Sequence, residues 1–387
     1  MYFVGIDISK FKHDCAIIDD IGDVVTPSWS FNNDCEGFSL LADLLTNLGK
    51  DVKIGFESTG HYGQNLKLFL ESSSFTFMEF NPLLISRFVQ SKSLRKTKTD
   101  SIDALLIAQY LMTVEYKPYP ASFYHLDKLK SLTRFRDSLV RQRSRQLVEL
   151  TNVLDKTFPE FKPFFNHKFS VTALYILSNY TTPEKIANMN SRSYETLRKL
   201  SRGKFTMSAF VQLKILAKNT VGKSDDYLLH EIDVLLELYN QLDAKIQEIE
   251  EQVVECIRGI DPPMLSIPGI GALSAAIILS EYGDFSNYDS PAKLLSFAGL
   301  EPGYFQSGQS EHSGRMVKHG SSHLRYALMN CCLPLITHES VFAEYYAKKR
   351  SEGKPHRVAM THVAKKLLRV IYTLQTKDTA YNSELIR

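Results

Sequence analysis

Four carboxylates in the first hundred or so residues have the types and spacing for phosphodiester chemistry: Asp7, Glu57, Asp100 and Asp103. Asp7 closes the apolar run Tyr2-Phe3-Val4-Gly5-Ile6, and Glu57 closes Val52-Lys53-Ile54-Gly55-Phe56. Each run reads as a buried strand ending in an acid. Asp100 and Asp103 fall in the first turn of a helix, where residues three apart share a face. Acids from strand ends and a packed helix can converge on hard cations, and Mg²⁺ is held by a few carboxylates plus substrate phosphate. Two such ions about 4 Å apart clamp the attacking and leaving oxygens of a phosphodiester. Singly, each acid has a plainer reading. Asp100 beside Thr99 could be a helix-capping acid, Asp7 could begin a turn, and Glu57 could sit in a loop. The combination is harder to dismiss, because two of the four end strands that should otherwise be buried.

The elements that must carry these acids form an α/β pattern up to about Tyr119. Strands are expected at 2–7, 14–19, 23–26, 52–57 and 75–80, with Gly22 turning two of them into a hairpin. Helices are expected at 37–48, 61–72 and 100–114. Three early antiparallel strands, then strands alternating with helices, is the order of a ribonuclease H-like fold. That fold hosts nucleases, resolvases and transposases, and also actin-like ATPases and sugar kinases, so it does not settle function. Between the fifth strand and the Asp100 helix lie Arg87, Lys92, Arg95, Lys96 and Lys98 with no acid among them. This reads as a flexible basic loop able to hold a nucleic-acid backbone, or as a merely solvated one.

At 387 residues the chain is long enough for two or three domains. A hydrophobic fraction of 44% supports a sizeable core. A formal net charge of +3 neither demands nor excludes nucleic acid. None of the five cysteines forms a Cys-x-x-Cys pair, so neither a zinc site nor a disulfide framework is suggested. Cys331 and Cys332 sit in an apolar run as packing residues. There is no signal peptide and no bilayer-spanning stretch, so a cytoplasmic protein without a membrane partner is expected.

A long helix is expected from about His125 to Leu154. Between Lys128 and Arg145 it carries seven Lys/Arg and one acid, Asp137, and Pro159 breaks it. The stretch from about 158 to 225 carries no assignable motif. Leu228, Ile232, Leu235, Tyr239, Leu242, Ile246, Ile249, Val253 and Cys256 then alternate in steps of four and three, an a/d seam that argues coiled coil. This helix is acidic where the earlier one is basic. The two should pair as an antiparallel stalk, or with copies from another subunit. The expected division is therefore 1–120, a helical and coiled-coil middle at 121–258, and a mostly helical domain at 259–387. That last domain opens with Pro268-Gly269-Ile270-Gly271. Between two helices, this resembles a helix-hairpin-helix turn, in which Gly269 and Gly271 let backbone N–H groups approach a phosphate. A simple tight turn is the competing reading.

Residues 299–328 are rich in Gly and Ser and carry Arg315, Lys318 and Arg325. They read as a loop flanked by helices, in which a hydroxyl could reach a substrate and cations could steady phosphoryl charge. A flexible loop without function reads as easily.

Several motifs, taken together and in order, resemble the DEDD transposases of insertion-sequence family 110, bridge-RNA-guided serine recombinases. They are Gly5-Ile6-Asp7-Ile8-Ser9-Lys10, Phe56-Glu57-Ser58-Thr59-Gly60, Lys98-Thr99-Asp100-Ser101-Ile102-Asp103-Ala104, Ile267-Pro268-Gly269-Ile270-Gly271, Gly299-Leu300-Glu301-Pro302 with Gln306-Ser307-Gly308, Lys318-His319-Gly320 with Leu324-Arg325, and Ala364-Lys365-Lys366-Leu367-Leu368. The resemblance covers both ends of the chain and not the middle, about 158–225. It implies a RuvC-like Mg²⁺ (or Mn²⁺) site at Asp7, Glu57, Asp100 and Asp103. It implies a nucleophilic serine, best matched by Ser307, with Ser310 and Ser313 close by in uncertain register. It further implies double-stranded DNA as substrate, a structured guide RNA, and a dimer or tetramer whose active site pairs the acids of one subunit with the serine of another. Other readings stand beside it. A junction-resolving hydrolase would use the acids without the serine. An actin-like ATPase or sugar kinase would need later phosphate loops, which are not evident. A non-catalytic DNA adaptor would have no use for acids beside a basic loop.

Overall fold

The structure, a computed structural model, describes residues 1–49, 51–58, 60–92, 100–118, 124–307 and 310–386, with backbone alone at 83, 92, 100–101, 124–125, 304–307, 310–313, 315 and 385–386. The chain divides into two compact units, Met1–Ser122 and Phe123–Arg387.

In the first unit the strands are β1 (Tyr2–Ile8), β2 (Lys12–Asp19), β3 (Val24–Asn32), β4 (Val52–Glu57) and β5 (Phe77–Phe80). The helices are α1 (Cys35–Leu48), α2 (Gln64–Ser72), α3 (Pro82–Lys92) and α4 (Asp100–Thr113). The sheet order is β3-β2-β1-β4-β5. β1–β2 and β2–β3 are antiparallel, and β1–β4 and β4–β5 are parallel. Successive strand residues point to opposite faces, and both faces of this sheet are covered. On one side Val4, Ile6 and Ile8 join Leu41, Leu45, Leu66 and Leu70. On the other, Phe3 and Ile18 join Ile107, Ala108 and Leu111 of α4. Where α4 crosses β1 there is no room for a side chain. A Cβ on Gly5 would lie 2.3 Å from the Ala104 carbonyl oxygen and 2.4 Å from the Ala108 nitrogen. Glycine is the residue that permits so close a backbone approach.

Two expectations here need correction. β3 runs on to Asn32 rather than stopping at 26. The segment carrying Arg87 is helix α3 rather than loop, up to Lys92. Arg95, Lys96 and Lys98 lie outside the described residues.

The second unit begins with α5 (Tyr124–Thr157) and passes through five short helices: α6 (Phe161–Phe164), α7 (Val171–Asn179), α8 (Pro183–Ala187), α9 (Ser191–Leu200) and α10 (Met207–Lys218). The long α11 (Asp226–Ile260) then packs along α5 of the same chain. Arg136 pairs with Glu250 and Arg143 with Asp243, so rising numbers on one helix meet falling numbers on the other, an antiparallel pair. Ile232, Ile246, Ile249 and Val253 of the seam are buried, while Leu228, Leu235, Tyr239 and Leu242 are half-buried. Cys256 is exposed and Ile257 takes the buried place. A straight helix at 3.6 residues per turn drifts off a 3.5-residue pattern, and here the drift shows at the seam's end.

The rest of the unit is α12 (Ala272–Tyr282), α13 (Pro291–Phe297), strands β6 (Pro302–Ser307) and β7 (Ser310–Met316), α14 (Ser322–His338), α15 (Ser340–Ser351) and α16 (His356–Lys377). Every residue of α12 from Ala275 to Tyr282 is buried, which makes it the central helix of this core. Cys331 and Cys332 are buried on α14, and all five cysteines are unpaired. No helix of the described residues is long and apolar enough to cross a membrane.

One acid inside this core carries polar load. Glu281 is 3% exposed. Arg134 of α5 grips both its oxygens, Nε at 2.8 Å and Nη2 at 3.0 Å. The Ser321 hydroxyl donates to the same carboxylate at 2.8 Å and accepts the Leu324 N–H that starts α14. Burial pushes the Glu281 carboxyl up, but the Arg134 hydrogen bonds, Lys130 and Ser321 outweigh it and hold it below its ordinary 4.5.

Two predictions follow from this packing. Gly5→Ala should lower unfolding stability by about 1–3 kcal/mol, since overpacking a tight contact costs about that much; thermal denaturation reads it directly. Glu281→Gln should cost roughly 1.5–3 kcal/mol at neutral pH, the range for hydrogen bonds to a charged group. A depressed folded pKa stabilises above the unfolded value and loses that contribution as pH falls through the folded one. The gap in melting temperature between parent and Glu281→Gln should therefore narrow as pH drops below 4.5. A gap that stays constant into acid would refute this.

Candidate active site

Strand parity brings the first two acids together. Gly5 lies opposite Gly55 and Ile6 opposite Phe56 in the parallel pair of β1 and β4. Asp7 and Glu57 come next in step, at the carboxyl ends of adjacent strands. They share the face of Gly5 and Gly55, whose missing side chains make room for α4. α4 supplies the others from its first turn, and Asp103 directly precedes the Ala104 that rests on Gly5. Asp7, Glu57 and Asp103 are half-buried and each is engaged with at least one neighbour. The side chain of Asp100 lies outside the described ones.

A fifth carboxylate joins this face. Asp14 is the direct antiparallel partner of Asp7 in the β1–β2 register. Its side chain is 7% exposed and lies 3.5 Å from the Lys12 ammonium, and it accepts a hydrogen bond from the Ser30 hydroxyl. Reading the sequence strand by strand missed it. The signal was there: a short reversal at Ser9–Phe11 sets Asp14 across from Asp7.

The donors at Asp7, Glu57, Asp100 and Asp103 are oxygen only, a set that suits a hard divalent cation rather than zinc or copper. Among the described residues no group of three or more His, Cys, Asp or Glu is close enough to hold a metal ion. Of the basic residues nearby, Arg87 stands exposed on α3. Lys92 ends that helix, its side chain outside the described ones.

The serine segment differs from expectation. Residues 302–316 form an antiparallel hairpin, not a loop. Tyr, Phe and alternating polar residues suit a strand, and the abundance of Gly and Ser hid this. Ser307 ends β6 opposite Ser310, and Tyr304 lies opposite Ser313. At about 3.3 Å per residue Ser307 stands roughly 16 Å from the hairpin base at Pro302.

That base is tightly built. The Val317 N–H bonds the Glu301 carbonyl at 2.8 Å. A Cβ on Gly320 would lie 2.1 Å from the Phe297 carbonyl oxygen, and Gly299 has φ +63°. Arg325 donates from Nη1 to the Ala298 carbonyl at 3.0 Å, so part of its guanidinium is spent within the fold. Lys318 is exposed, and the side chain of Arg315 is outside the described ones. The hairpin leads into α14, which is tied to α12 where Ser321 donates to Glu281 and to α5 where His323 Nδ1 meets Asp137 at 2.6 Å. The His323–Asp137 pair, whose members are 186 residues apart, has no local signal in the sequence.

Gly269 and Gly271 are placed differently from each other. The first part of the expected helix-hairpin-helix is a single 3₁₀ turn, Pro263–Ser266, rather than a full helix. Gly269, at φ +94°, is wedged against Pro334 and Leu335, while nothing lies near the Cα of Gly271, which starts α12.

Comparison with known proteins converges on one family. A transposase profile, the DEDD type of IS110, matches residues 4–159. A second, the transposase IS116/IS110/IS902 family, matches residues 262–347. The mini-circle putative transposase for IS117 of Streptomyces coelicolor is 25% identical, over 97% of this chain and 94% of its own length. The IS900 uncharacterized 42 kDa protein of Mycobacterium paratuberculosis is 24% identical, over 98% and 97%. The pilin gene-inverting protein of Moraxella bovis is 23% identical, over 99% and 98%. With two profiles of one family spanning more than half of the chain and relatives aligned along nearly all of it, the chain belongs to the IS110 family of transposases, enzymes that act on DNA by recombination.

Proposed function

We propose that this transposase cuts and rejoins DNA through a serine–phosphate intermediate, with Ser307 as nucleophile and Asp7, Glu57, Asp100 and Asp103 as a carboxylate site for Mg²⁺ or Mn²⁺. The observation that carries the carboxylate half is the register of β1 and β4, which sets Asp7 and Glu57 side by side on the face α4 crosses. Five strands in the order β3-β2-β1-β4-β5 also support a ribonuclease H-like, RuvC-like reading of the first unit. Bound there, the cation would polarise a phosphoryl oxygen.

The serine half follows from the chemistry of rejoining. Ser307 Oγ attacks the scissile phosphorus, one O–P bond forms and one breaks, and the departing DNA oxygen leaves as a hydroxyl. Because one ester is exchanged for another, that hydroxyl can later reverse the step with no nucleotide hydrolysed. Water as nucleophile would release the ends. A strand-end position on a hairpin whose base is locked to α14 suits a residue that must meet a phosphate at fixed geometry. Arg315, Lys318 and Arg325 steady the phosphate, and Gly269 and Gly271, with Arg87, Lys92, Arg95, Lys96 and Lys98, hold backbone elsewhere. A structured guide RNA selects the DNA sites. The chain works as a dimer or tetramer in which acids and serine come from different subunits. The segments 1–120, 121–258 and 259–387 then serve as acidic domain, coiled-coil stalk and serine domain. An apolar groove on the α5–α11 pair of about 540 Å³, lined by Leu132, half-exposed Phe135, Leu139, Leu238 and Leu242, supports association through the stalk.

Two experiments test this. Asp7→Asn or Glu57→Gln should abolish strand cleavage while leaving the fold and DNA binding in place. Removing one of several close carboxylates relieves like-charge repulsion, so melting temperature without divalent cation should hold or rise. Recombination by an Asp100→Asn, Asp103→Asn double variant would end the carboxylate reading. Ser307→Ala should bind DNA but form no denaturation-resistant adduct, and mass spectrometry of the parent adduct should put the DNA on Ser307. An adduct on Ser310 or Ser313 keeps the mechanism and moves the residue. Cleavage without any adduct means hydrolysis.

A further inference from the structure

The family profiles leave residues 160–261 unmatched, and the helical insert at 161–223 falls within that gap. Its charge is unlike that of the rest of the protein. These 63 residues hold eleven Lys/Arg against two acids, Glu184 and Glu195, a net +9 in a chain whose total is +3. The remainder therefore carries −6. The insert is built around its own core, where Phe161, Ala173, Ile176, Leu197, Phe210 and Leu213 pack against α5 and α11. Its cations are arranged differently from those of α5. Arg134, Arg136 and Arg143 of α5 are each matched by a carboxylate. Among the described residues none of the eleven cations of the insert takes part in an ion pair.

Four of them, Arg198, Lys199, Arg202 and Lys204, fall within seven residues at the turn between α9 and α10, and all four are exposed. This turn is fixed rather than frayed. Arg202 and Gly203 adopt φ of +51° and +81°. The Gly203 N–H returns to the Arg198 carbonyl at 2.8 Å and the Arg202 N–H to Lys199 at 3.0 Å. The Ser201 hydroxyl accepts the Phe205 N–H at 2.9 Å, and the Phe205 ring stacks on Phe165. Thr206 then caps α10. Exposed like charges repel, so four cations on a turn of fixed shape, none of them in an ion pair and with Glu195 as the one acid of α9, disfavour the isolated protein slightly. A polyanion reverses that cost and releases its own condensed counterions.

We propose that the insert is a clamp for the phosphodiester backbone of a nucleic-acid duplex, centred on the basic turn 198–204. The chemistry is backbone neutralisation without base readout, so the contact adds affinity and not sequence choice. The chain acts on DNA, and an RNA duplex presents the same phosphates, so both are tested.

The experiment uses the full chain. Observed binding constants for random-sequence DNA and RNA duplexes of equal length are measured against salt, for the parent and three variants. R198Q/K199Q/R202Q/K204Q should melt like the parent, because all four side chains are exposed. Its log–log salt slope should be shallower by about two to four units, near 0.9 per lost phosphate contact, and its affinity at low salt lower by at least about tenfold. R198K/K199R/R202K/K204R, which keeps every charge, should bind as the parent does. K117Q/K245Q/K293Q removes three cations that already have acidic partners, and its slope should stay within about half a unit of the parent's, since paired surface charges contribute little. A loss confined to one duplex supports the clamp and identifies its nucleic acid. A parental slope on both duplexes in the four-Gln variant overturns the proposal. So does an equal loss in K117Q/K245Q/K293Q, which would trace the effect to overall charge.

Discussion

Everything in the first unit depends on how closely α4 approaches β1. The contact is backbone against backbone, and it exists because Gly5 has no side chain where Ala104 and Ala108 pass. Two alanines on the helix and glycine on the strand form a seam with no bulk on either side. Any larger residue there would lift the first turn of α4 away from the strand ends. That turn carries Asp100 and Asp103, so the spacing between helix acids and strand acids is set one residue further along, by packing rather than by the acids themselves. Carboxylates repel one another, and only a rigid scaffold keeps several of them on one face.

The second unit solves a different problem with charge. Its long helices carry opposite sign, and the antiparallel pairing lets Arg136 meet Glu250 and Arg143 meet Asp243. Glu281, almost fully buried, would be costly alone. With Arg134 on two oxygens and Ser321 on one, it becomes the point where α5, α12 and the start of α14 are fixed together. The hairpin with Ser307 at its turn leads into α14, which begins one residue before the next tie, His323 to Asp137. Polar contacts that specify geometry are thus concentrated where the chain leaves the hairpin, and the apolar core supplies the rest.

How legible this was depended on the range of the interaction. Strand and helix existence, and the acids at their ends, came from local periodicity, and β1, β4 and α4 match expectation within a residue. The apolar repeat along α11 was also visible, because burial repeats along one helix; Leu236 rather than Leu235 and Ile257 rather than Cys256 take the buried places. The hairpin at 302–316 was misread because Gly and Ser raise the weight of loop, while its strand character rests on cross-strand pairing such as Phe305 with His312. α3 was read as loop because its cations, with no acid among them, suggested a solvated segment, yet Pro82 starts a helix, where proline is at home in the first turn. Asp14 was overlooked because the strands were read singly, although the short reversal before it sets it across from Asp7; His323 was invisible because it owes its place to a partner set by tertiary packing. Composition hid the insert as well. A whole-chain +3 averages a strongly basic module with an acidic remainder.

That partition of charge bears on how a recombinase with modest total charge holds DNA. Arg134, Arg136 and Arg143 of α5 are each paired with an acid, which weakens their field at a distance. Cations on the insert are not. At physiological salt the field of exposed charges decays over about 8 Å, so a distant +3 is irrelevant and a local cluster dominates. Carboxylate sites face the opposite requirement. They repel the phosphates they must act on, and that repulsion is present before any cation binds. Eleven cations against two acids in one 63-residue stretch of a chain with net charge +3 is a segregation of charge along the sequence, and it sets the local field more than the sum does.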